Sequence, residues 1–122
     1  MEIRDKDSLR RVIYITPGAL DSQTFQLTNE DALVFVYAYT GIAFTLYLPL
    51  VADAAGLIFS IRIAYSPGVN VTVSVHATDV AAGDYLVVDD TVGDTQILDA
   101  SNEYMVLYSD GVMWYELQGG HA

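Results

Sequence analysis

Short runs of the chain alternate between apolar and polar residues, and turn residues such as glycine, proline and aspartate separate these runs. Successive side chains of a strand point to opposite faces, so this alternation predicts β-strands. Strands are predicted over residues 11–16, 24–28, 32–39, 43–48, 57–64, 70–77, 85–88 and 95–98, and in a hairpin over 102–117. About ten short strands and no convincing amphipathic helix predict an all-β fold, an antiparallel β-sandwich or jelly-roll-like domain.

Two of these runs show the pattern most clearly. Residues 57–64 place Leu57, Phe59, Ile61 and Ile63 on one face, and Ile58, Ser60, Arg62 and Ala64 on the other. Residues 70–77 place three valines on one face and polar side chains, including His76, on the other, which predicts a half-buried strand. The alanine-rich residues 51–55 predict one helical turn, and Gly56 is positioned to end it.

The hairpin over residues 102–117 is apolar on both faces. Its two runs flank Asp110-Gly111, which predicts a two-residue type I′ turn because both residues accept positive φ. That turn would pair Ser109 with Val112 and Leu107 with Trp114. One face would carry Met105, Leu107, Val112 and Trp114, and the other Tyr104, Val106, Tyr108, Met113, Tyr115 and Leu117.

Covering both faces of the hairpin needs a partner, because antiparallel hairpins usually leave one face in water. A chain of 122 residues forms one domain, whose second sheet covers one face. We expect further copies of the chain to cover the other, so the sequence predicts a homo-oligomer. Its predicted subunit interface is Arg62, Tyr104, Val106, Tyr108, Met113 and Tyr115. Two alternatives are a hairpin covered on both sides within one subunit, and outer tyrosines that tolerate water.

Charge is distributed unevenly along the chain. Residues 1–11 carry four of the five basic residues and sum to +1, whereas the remaining residues sum to −12. An acidic body does not favour binding to nucleic-acid phosphates or to anionic membranes. The start is not a secretory signal, and no run is long enough to span a membrane. The predicted organisation is an N-terminal arm, residues 1–10, followed by a single β-sandwich domain, residues 11–122.

Candidate catalytic residues are few. The two histidines are His76, on the polar face of its strand, and His121, in a tail that we expect to fray over residues 119–122. The chain has no cysteine, no G-x-S-x-G motif and no glycine-rich phosphate loop. Asp89 and Asp90, as adjacent strand residues, would point to opposite faces and form no acid–base pair. The sequence therefore predicts neither an enzyme nor a cofactor.

Three features leave alternatives open. Oxygen ligands for calcium could come from Asp84, Asp89, Asp90 and Asp94, although aspartate beside glycine is also common turn chemistry and no calcium-loop spacing is present. Arg62, the only basic residue after Arg11, is either a surface guanidinium at a sheet edge or one half of an ion pair between subunits. The nine tyrosines either fill interfaces or line a carbohydrate platform.

The order of several short motifs carries a resemblance. These are L-Y-L-P over 46–49, an alanine-rich link into Gly56, L-I-F-S-I-R-I over 57–63, three alternating valines, and E-Y-M-V-L-Y-S-D-G-V-M-W-Y-E-L over 103–117. Over roughly residues 28–117 the chain resembles small β-domains of tailed-phage virion proteins, which occur in tail fibres, tailspikes, head fibres and capsid decoration proteins. It departs from that pattern in the strand at 11–16 and the tyrosine-rich stretch 37–47.

The resemblance implies a virion structural protein. A chain of this length is more similar to a capsid decoration, or cement, protein that binds the major capsid protein as a trimer and stabilises the assembled shell. Such a protein is made in the host cytoplasm and ends on the capsid surface. The anchoring arm would use Arg4, Lys6, Arg10 and Arg11. The alternative is the receptor- or carbohydrate-binding tip of a tail fibre.

Overall fold

Eleven strands and one short helix occur in the part of the chain that the computed structural model describes, residues 10–16, 24–38, 42–66, 68–83 and 85–121. The strands are β1 (Arg11–Ile15), β2 (Thr24–Gln26), β3 (Asp31–Tyr37), β4 (Phe44–Tyr47), β5 (Ile58–Tyr65), β6 (Val71–Ser74), β7 (Leu86–Val88), β8 (Thr91–Gly93), β9 (Thr95–Leu98), β10 (Tyr104–Ser109) and β11 (Trp114–Gly120). The helix is α1 (Ala77–Ala82).

These strands form two sheets. The large sheet has seven strands in the order β1-β3-β5-β10-β11-β7-β8, and the small sheet has four in the order β2-β4-β6-β9. The buried residues of both sheets belong to one hydrophobic cluster. The prediction of an all-β, sandwich-like fold is confirmed.

The strand directions differ from the predicted antiparallel, jelly-roll-like arrangement. From β1 to β6 the chain alternates between the sheets, so neighbours within a sheet are two strands apart in sequence. Each return to the same sheet repeats the strand direction, and β1-β3-β5 and β2-β4-β6 are therefore parallel. Antiparallel pairs join the remaining strands except β11 and β7. Hydrophobic alternation identifies the buried face of a strand but not the strand that pairs with it.

The core follows the predicted alternation closely. Phe59, Ile61 and Ile63 of β5 are fully buried, as are Met105 and Leu107 of β10. In the same cluster, the Phe59 ring meets the indole of Trp114 edge-on, with centroids 5.5 Å apart and planes at 71°. Burial of apolar side chains such as these is the main favourable term in the stability of a small domain.

The predicted register of the final hairpin is wrong. Ser109 pairs with Trp114 and Tyr108 with Tyr115, and the register then shifts between Leu107 and Val106, where Leu117 of β11 is the extra residue. The connection is therefore four residues long, 110–113. Its shape is set by Asp110, whose Oδ1 accepts the backbone N–H groups of Val112 and Met113, both at 2.8 Å. Such an aspartate turn competes with the two-residue turn.

A two-residue turn with positive φ does occur, between β7 and β8. Asp89 and Asp90 have φ of 49° and 65°, and the flanking Val88 and Thr91 are paired. Aspartate tolerates this left-handed conformation better than most residues with a Cβ. The two carboxylates thus lie in a turn, not in a strand as predicted.

The predicted strand over residues 70–77 ends early, at Ser74. His76 caps α1 instead, with its Nδ1 accepting the N–H of Thr78 at 3.0 Å. Gly83, at φ 82°, ends the helix. Residues 51–56, where the sequence predicted one helical turn, form hydrogen-bonded turns. Gly56, at φ 83°, ends this segment as expected.

The prediction that residues 119–122 fray is wrong for residues 119–121, which the structure describes. β11 continues to Gly120, and the His121 side chain is only 5% exposed. Ala122 lies outside the described residues. Side chains occupy the space that a Cβ would need at both glycines: the Glu116 carboxylate at Gly119 and the Tyr104 ring at Gly120. Glycine therefore lets these neighbours lie directly over the strand.

Candidate functional site

The large sheet carries a broad apolar surface on the side away from the core, which we call the outer face. Strand register aligns its side chains in rows across neighbouring strands. One row is Tyr14, Phe35, Arg62 and Tyr104; a second is Val12, Leu33, Ser60 and Val106; a third is Ile58, Tyr108, Tyr115 and Val87. Tyr14 and Val12 are 66% and 52% exposed. No carboxylate lies in these rows.

Ring contacts organise the first row. The rings of Tyr14 and Phe35 stack at 5.4 Å with 14° between their planes. The Arg62 guanidinium lies over the Tyr104 ring, 5.0 Å from its centroid, and donates a long hydrogen bond of 3.4 Å to the Asn102 carbonyl. Within the described residues it has no carboxylate partner. A cation over a ring is held in place but keeps its charge for a further partner.

Five of the six predicted interface residues lie together on this face: Arg62, Tyr104, Val106, Tyr108 and Tyr115. Met113, the sixth, lies in the connection before β11 and is half-buried.

At this end of the face the backbone N–H groups of Met113 and Val112 donate to the Asp110 carboxylate and hold its pKa below the ordinary 3.8. The charge of Asp110 in turn raises the pKa of Tyr115 above 10.0, so the phenol stays neutral.

The outer face of the small sheet has the opposite character. Its rows are Thr24, Thr45, Thr72 and Ile97, and Gln26, Tyr47, Ser74 and Thr95. Hydroxyl and amide groups dominate, which is the pattern of a sheet face that meets water.

Two of the four predicted anchoring residues contact the body of the fold. The Arg10 guanidinium donates to the carbonyls of Asn29, Asp31 and Ile58 at 3.0, 2.8 and 3.0 Å, and it lies 4.6 Å from the Phe59 ring centroid. Arg11 forms an ion pair of 2.7 Å with the buried Asp31. Arg4 and Lys6 lie outside the described residues.

A concave site, which we call the strand-end pocket, lies where β2, β4 and β6 end. These three strands are parallel, so the loops that follow them meet at one edge of the small sheet. The loops bring Thr28, Asn29, Asp53 and His76 together around a cavity of about 250 Å³. Asn29 Nδ2 donates to the Asp53 carbonyl at 2.8 Å, whereas Asn29 Oδ1 is buried without a hydrogen-bond partner in the described structure.

A second cavity, of about 220 Å³, lies beside the β7–β8 turn and includes Asp89, Thr91, Gln96 and His121 in its lining. His121 Nε2 is 2.6 Å from Glu116 Oε2, and both side chains are almost completely buried. This contact holds His121, which follows β11, against Glu116 of the same strand. It was missed in the sequence because the intervening Gly119-Gly120 is more typical of a loose tail.

The described residues contain neither a cluster of candidate metal ligands nor a helix that could span a membrane. No group of three or more histidine, aspartate or glutamate side chains there could hold a metal ion. Of the four candidate calcium ligands, Asp89 and Asp90 form the β7–β8 turn and Asp84 lies outside the described residues. No helix in the described ranges combines the length and apolarity of a membrane span.

Comparison with known proteins adds no family. No protein-family model matches the chain, and comparison with curated proteins also gives no match.

Proposed function

We propose that this protein is a structural component of a tailed-phage virion, a capsid decoration protein that assembles as a trimer through its outer face and binds the major capsid protein. The motif order over residues 28–117 supports the virion class. The two-sheet fold is compatible with it. The observation that carries the self-assembly is the apolar outer face, whose opposite side is already committed to the core.

The size of this face fits an interaction surface. The rows cross six strands, about 24 Å at a spacing of about 4.8 Å, and Ile58, Ser60 and Arg62 mark about 13 Å along β5. Apolar patches of a few hundred Å² on a monomer are often functional. Three copies around an axis would bury such a patch on each chain.

Electrostatics favours the same surface. A net charge of −11 makes copies of the chain repel one another. The rows of the outer face contain a single charge, Arg62, and it is positive. Association through these rows therefore brings no carboxylates into contact. We assign to Arg62 an ion pair with a carboxylate that the adjacent subunit supplies from outside these rows, and this pair would fix the orientation of the subunits.

The shell anchor is assigned to residues 1–9. Arg10 and Arg11 are engaged with β3 and β5 of their own chain, which leaves Arg4 and Lys6 as the basic residues for the capsid. Several arms on one trimer would bind neighbouring capsid subunits with a high effective concentration.

Sedimentation with expanded phage capsids tests the function. The full chain should pellet with capsids at a stoichiometric ratio, and a variant lacking residues 1–9 should remain a trimer in the supernatant. The deletion keeps Arg10 and Arg11, so a loss of binding would not reflect loss of β1. Equal binding by the truncated chain would refute the anchor, and no binding by the full chain would refute the decoration role.

The second candidate, a receptor- or carbohydrate-binding tip, is favoured by one observation. Tyr14 stacks on Phe35 yet remains 66% exposed, as a platform for a sugar ring would be. Binding of the full chain to host cells or surface polysaccharide, abolished by Tyr14→Ala, would favour this function over shell binding.

A further inference from the structure

We propose that the Asp110 carboxylate of one subunit is the partner of the Arg62 guanidinium of the next, so that neighbouring outer faces pack with opposite ends together. This pairing rests on the proposed self-assembly through the outer face and names the contact that would orient it. It follows from the positions of the two charges, from the contacts of the other carboxylates and from the repulsion between copies of an acidic chain.

The two charges lie at opposite ends of the outer face. Arg62 belongs to the first row and lies over the Tyr104 ring. Ile58, four residues earlier in β5, belongs to the third row, about 13 Å away along the strand. Asp110 directly follows β10 at that end of the face and is exposed. The face therefore has a cation at one end and a carboxylate at the other.

The Asp110 carboxylate is held beside the apolar rows. Its Oδ1 accepts the backbone N–H groups of Met113 and Val112, which hold its pKa low, and a hydrogen bond with the Tyr115 side chain lowers the pKa further. Tyr115 belongs to the third row, whereas its neighbour Trp114 lies in the core. A carboxylate has about four lone-pair sites, so these three hydrogen bonds leave it able to accept another.

The other described carboxylates of β3, β10 and β11, and Glu103 just before β10, are engaged within their own chain. Asp31 is buried in an ion pair at the edge of the sheet, and Glu116 is buried beside His121. Glu103 Oε1 accepts two backbone N–H groups of the segment that follows β9. Asp110 differs from these three in being exposed and in contacting a phenol of the outer face.

Electrostatics selects between two ways of packing such faces. With like ends together, two guanidinium groups would lie near each other and so would two carboxylates, in addition to the repulsion that a net charge of −11 already imposes. With opposite ends together, each guanidinium meets a carboxylate and can donate two parallel hydrogen bonds to it. In a ring of three, each interface joins different patches of neighbouring copies and so contains one such pair.

A double-mutant cycle on the full chain tests the pair. Arg62→Gln and Asp110→Asn each remove one charge, and Asp110→Asn keeps the acceptor that shapes the connection. Each should weaken association about tenfold, and the double variant should also be about tenfold weaker, whereas independent effects would give about a hundredfold. Sedimentation equilibrium compares the four chains. Independent losses from an assembled unmodified chain would overturn the pair alone, and a monomeric unmodified chain at micromolar concentration would overturn the self-assembly as well.

Glu30→Gln is the matched control for Asp110→Asn. Glu30 is exposed and directly precedes β3 at the same end of the large sheet. Loss of a negative charge lowers the repulsion between copies, so Glu30→Gln should leave association unchanged or slightly stronger. Asp110→Asn removes the same charge yet should weaken association, because it removes a specific partner. Equal weakening by both variants, or coupling of Arg62 to Glu30, would refute the assignment.

Arg62→Lys separates the ion pair from the ring contact with Tyr104. It keeps the charge and should weaken association less than Arg62→Gln does, since an ammonium group still attracts the carboxylate but lacks the bidentate geometry. Sedimentation equilibrium under the same conditions measures the difference. A loss as large as that of Arg62→Gln would overturn the charge pair and assign the effect to the guanidinium stack.

Discussion

The two sheets share one core but present opposite outer faces. Tyrosine, phenylalanine and aliphatic side chains fill most positions in the rows of the large sheet, and threonine, serine and glutamine fill most of those of the small sheet. Both sheets need one apolar face to fold, so the core alone explains only the inner residues. The second apolar face of the large sheet is not needed to close this core, and this contrast is what points to association.

Two neighbouring residues of β11, Trp114 in the core and Tyr115 on the outer face, should show the largest difference between effects on folding and effects on association. Trp114→Ala removes a fully buried ring that packs on Phe59 and should reduce the free energy of unfolding by about 3–5 kcal/mol. Tyr115→Ala, on the outer face, should cost much less in folding and should instead weaken assembly. Denaturant unfolding and sedimentation velocity measure the two effects. Similar losses of unfolding free energy for both variants would contradict a division between core and interface.

A charge placed on each outer face tests the comparison directly. Val106→Asp, in β10, should lower the association constant at least about a hundredfold, because a carboxylate would be buried against another acidic chain. Thr72→Asp, in β6 of the small sheet, is equally half-buried and central and should leave assembly unchanged. Sedimentation equilibrium compares them. The outer-face model fails if both variants dissociate alike or if the unmodified chain is a monomer at micromolar concentration.

The sequence predicted the faces of strands better than their partners. Alternation correctly assigned Phe59, Ile61 and Ile63 to the core, because burial depends on the period of the strand alone. The parallel pairing of β3 with β5 was missed, since crossing between sheets is set by packing of the whole chain. The hairpin register was missed because one side chain, Asp110, lengthened the turn.

The candidate sites were harder to predict than the faces. The outer-face positions of the predicted interface follow from alternation in β5 and β10. The strand-end pocket joins Asn29, Asp53 and His76, which are remote in sequence and meet only because three strands run parallel. A weak signal for α1 was present: an aspartate in its first turn, two alanines and then Gly83.

The edge of the large sheet gives a prediction of intermediate size. Arg10→Ala removes three hydrogen bonds to backbone carbonyls and a ring contact, and it should destabilise the fold by about 1.5–3 kcal/mol. Arg11→Lys keeps a cation beside the buried Asp31 and should cost less than about 1 kcal/mol. Thermal unfolding of the pair, on chains lacking residues 1–9, measures the difference. Equal effects would show that Arg10 does not hold β1 to the sheet.

The smallest expected effect concerns pH at the hairpin connection. Because the folded pKa of Asp110 lies below the unfolded value near 3.8, its contribution to stability is present above pH 3.8 and is lost as the pH falls below it. Asp110→Asn keeps a side-chain acceptor and should remove this acid-dependent loss, whereas Asp110→Ala should also loosen the turn. Unfolding curves between pH 2 and 6 measure both. An unchanged acid profile in Asp110→Asn would assign the loss to other carboxylates.

The alternation of β1 to β6 between the sheets also has a consequence for evolution and design. From β1 to β6, each pair of successive strands adds one strand to each sheet. Within the described residues, β1 and β2 are the edge strands of their sheets. A duplicated pair of strands, one for each sheet, inserted before β1 would lengthen both sheets at the edges formed by β1 and β2. The existing strands would keep their neighbours. Growth by such increments is a property of solenoids and gives this fold an adjustable height.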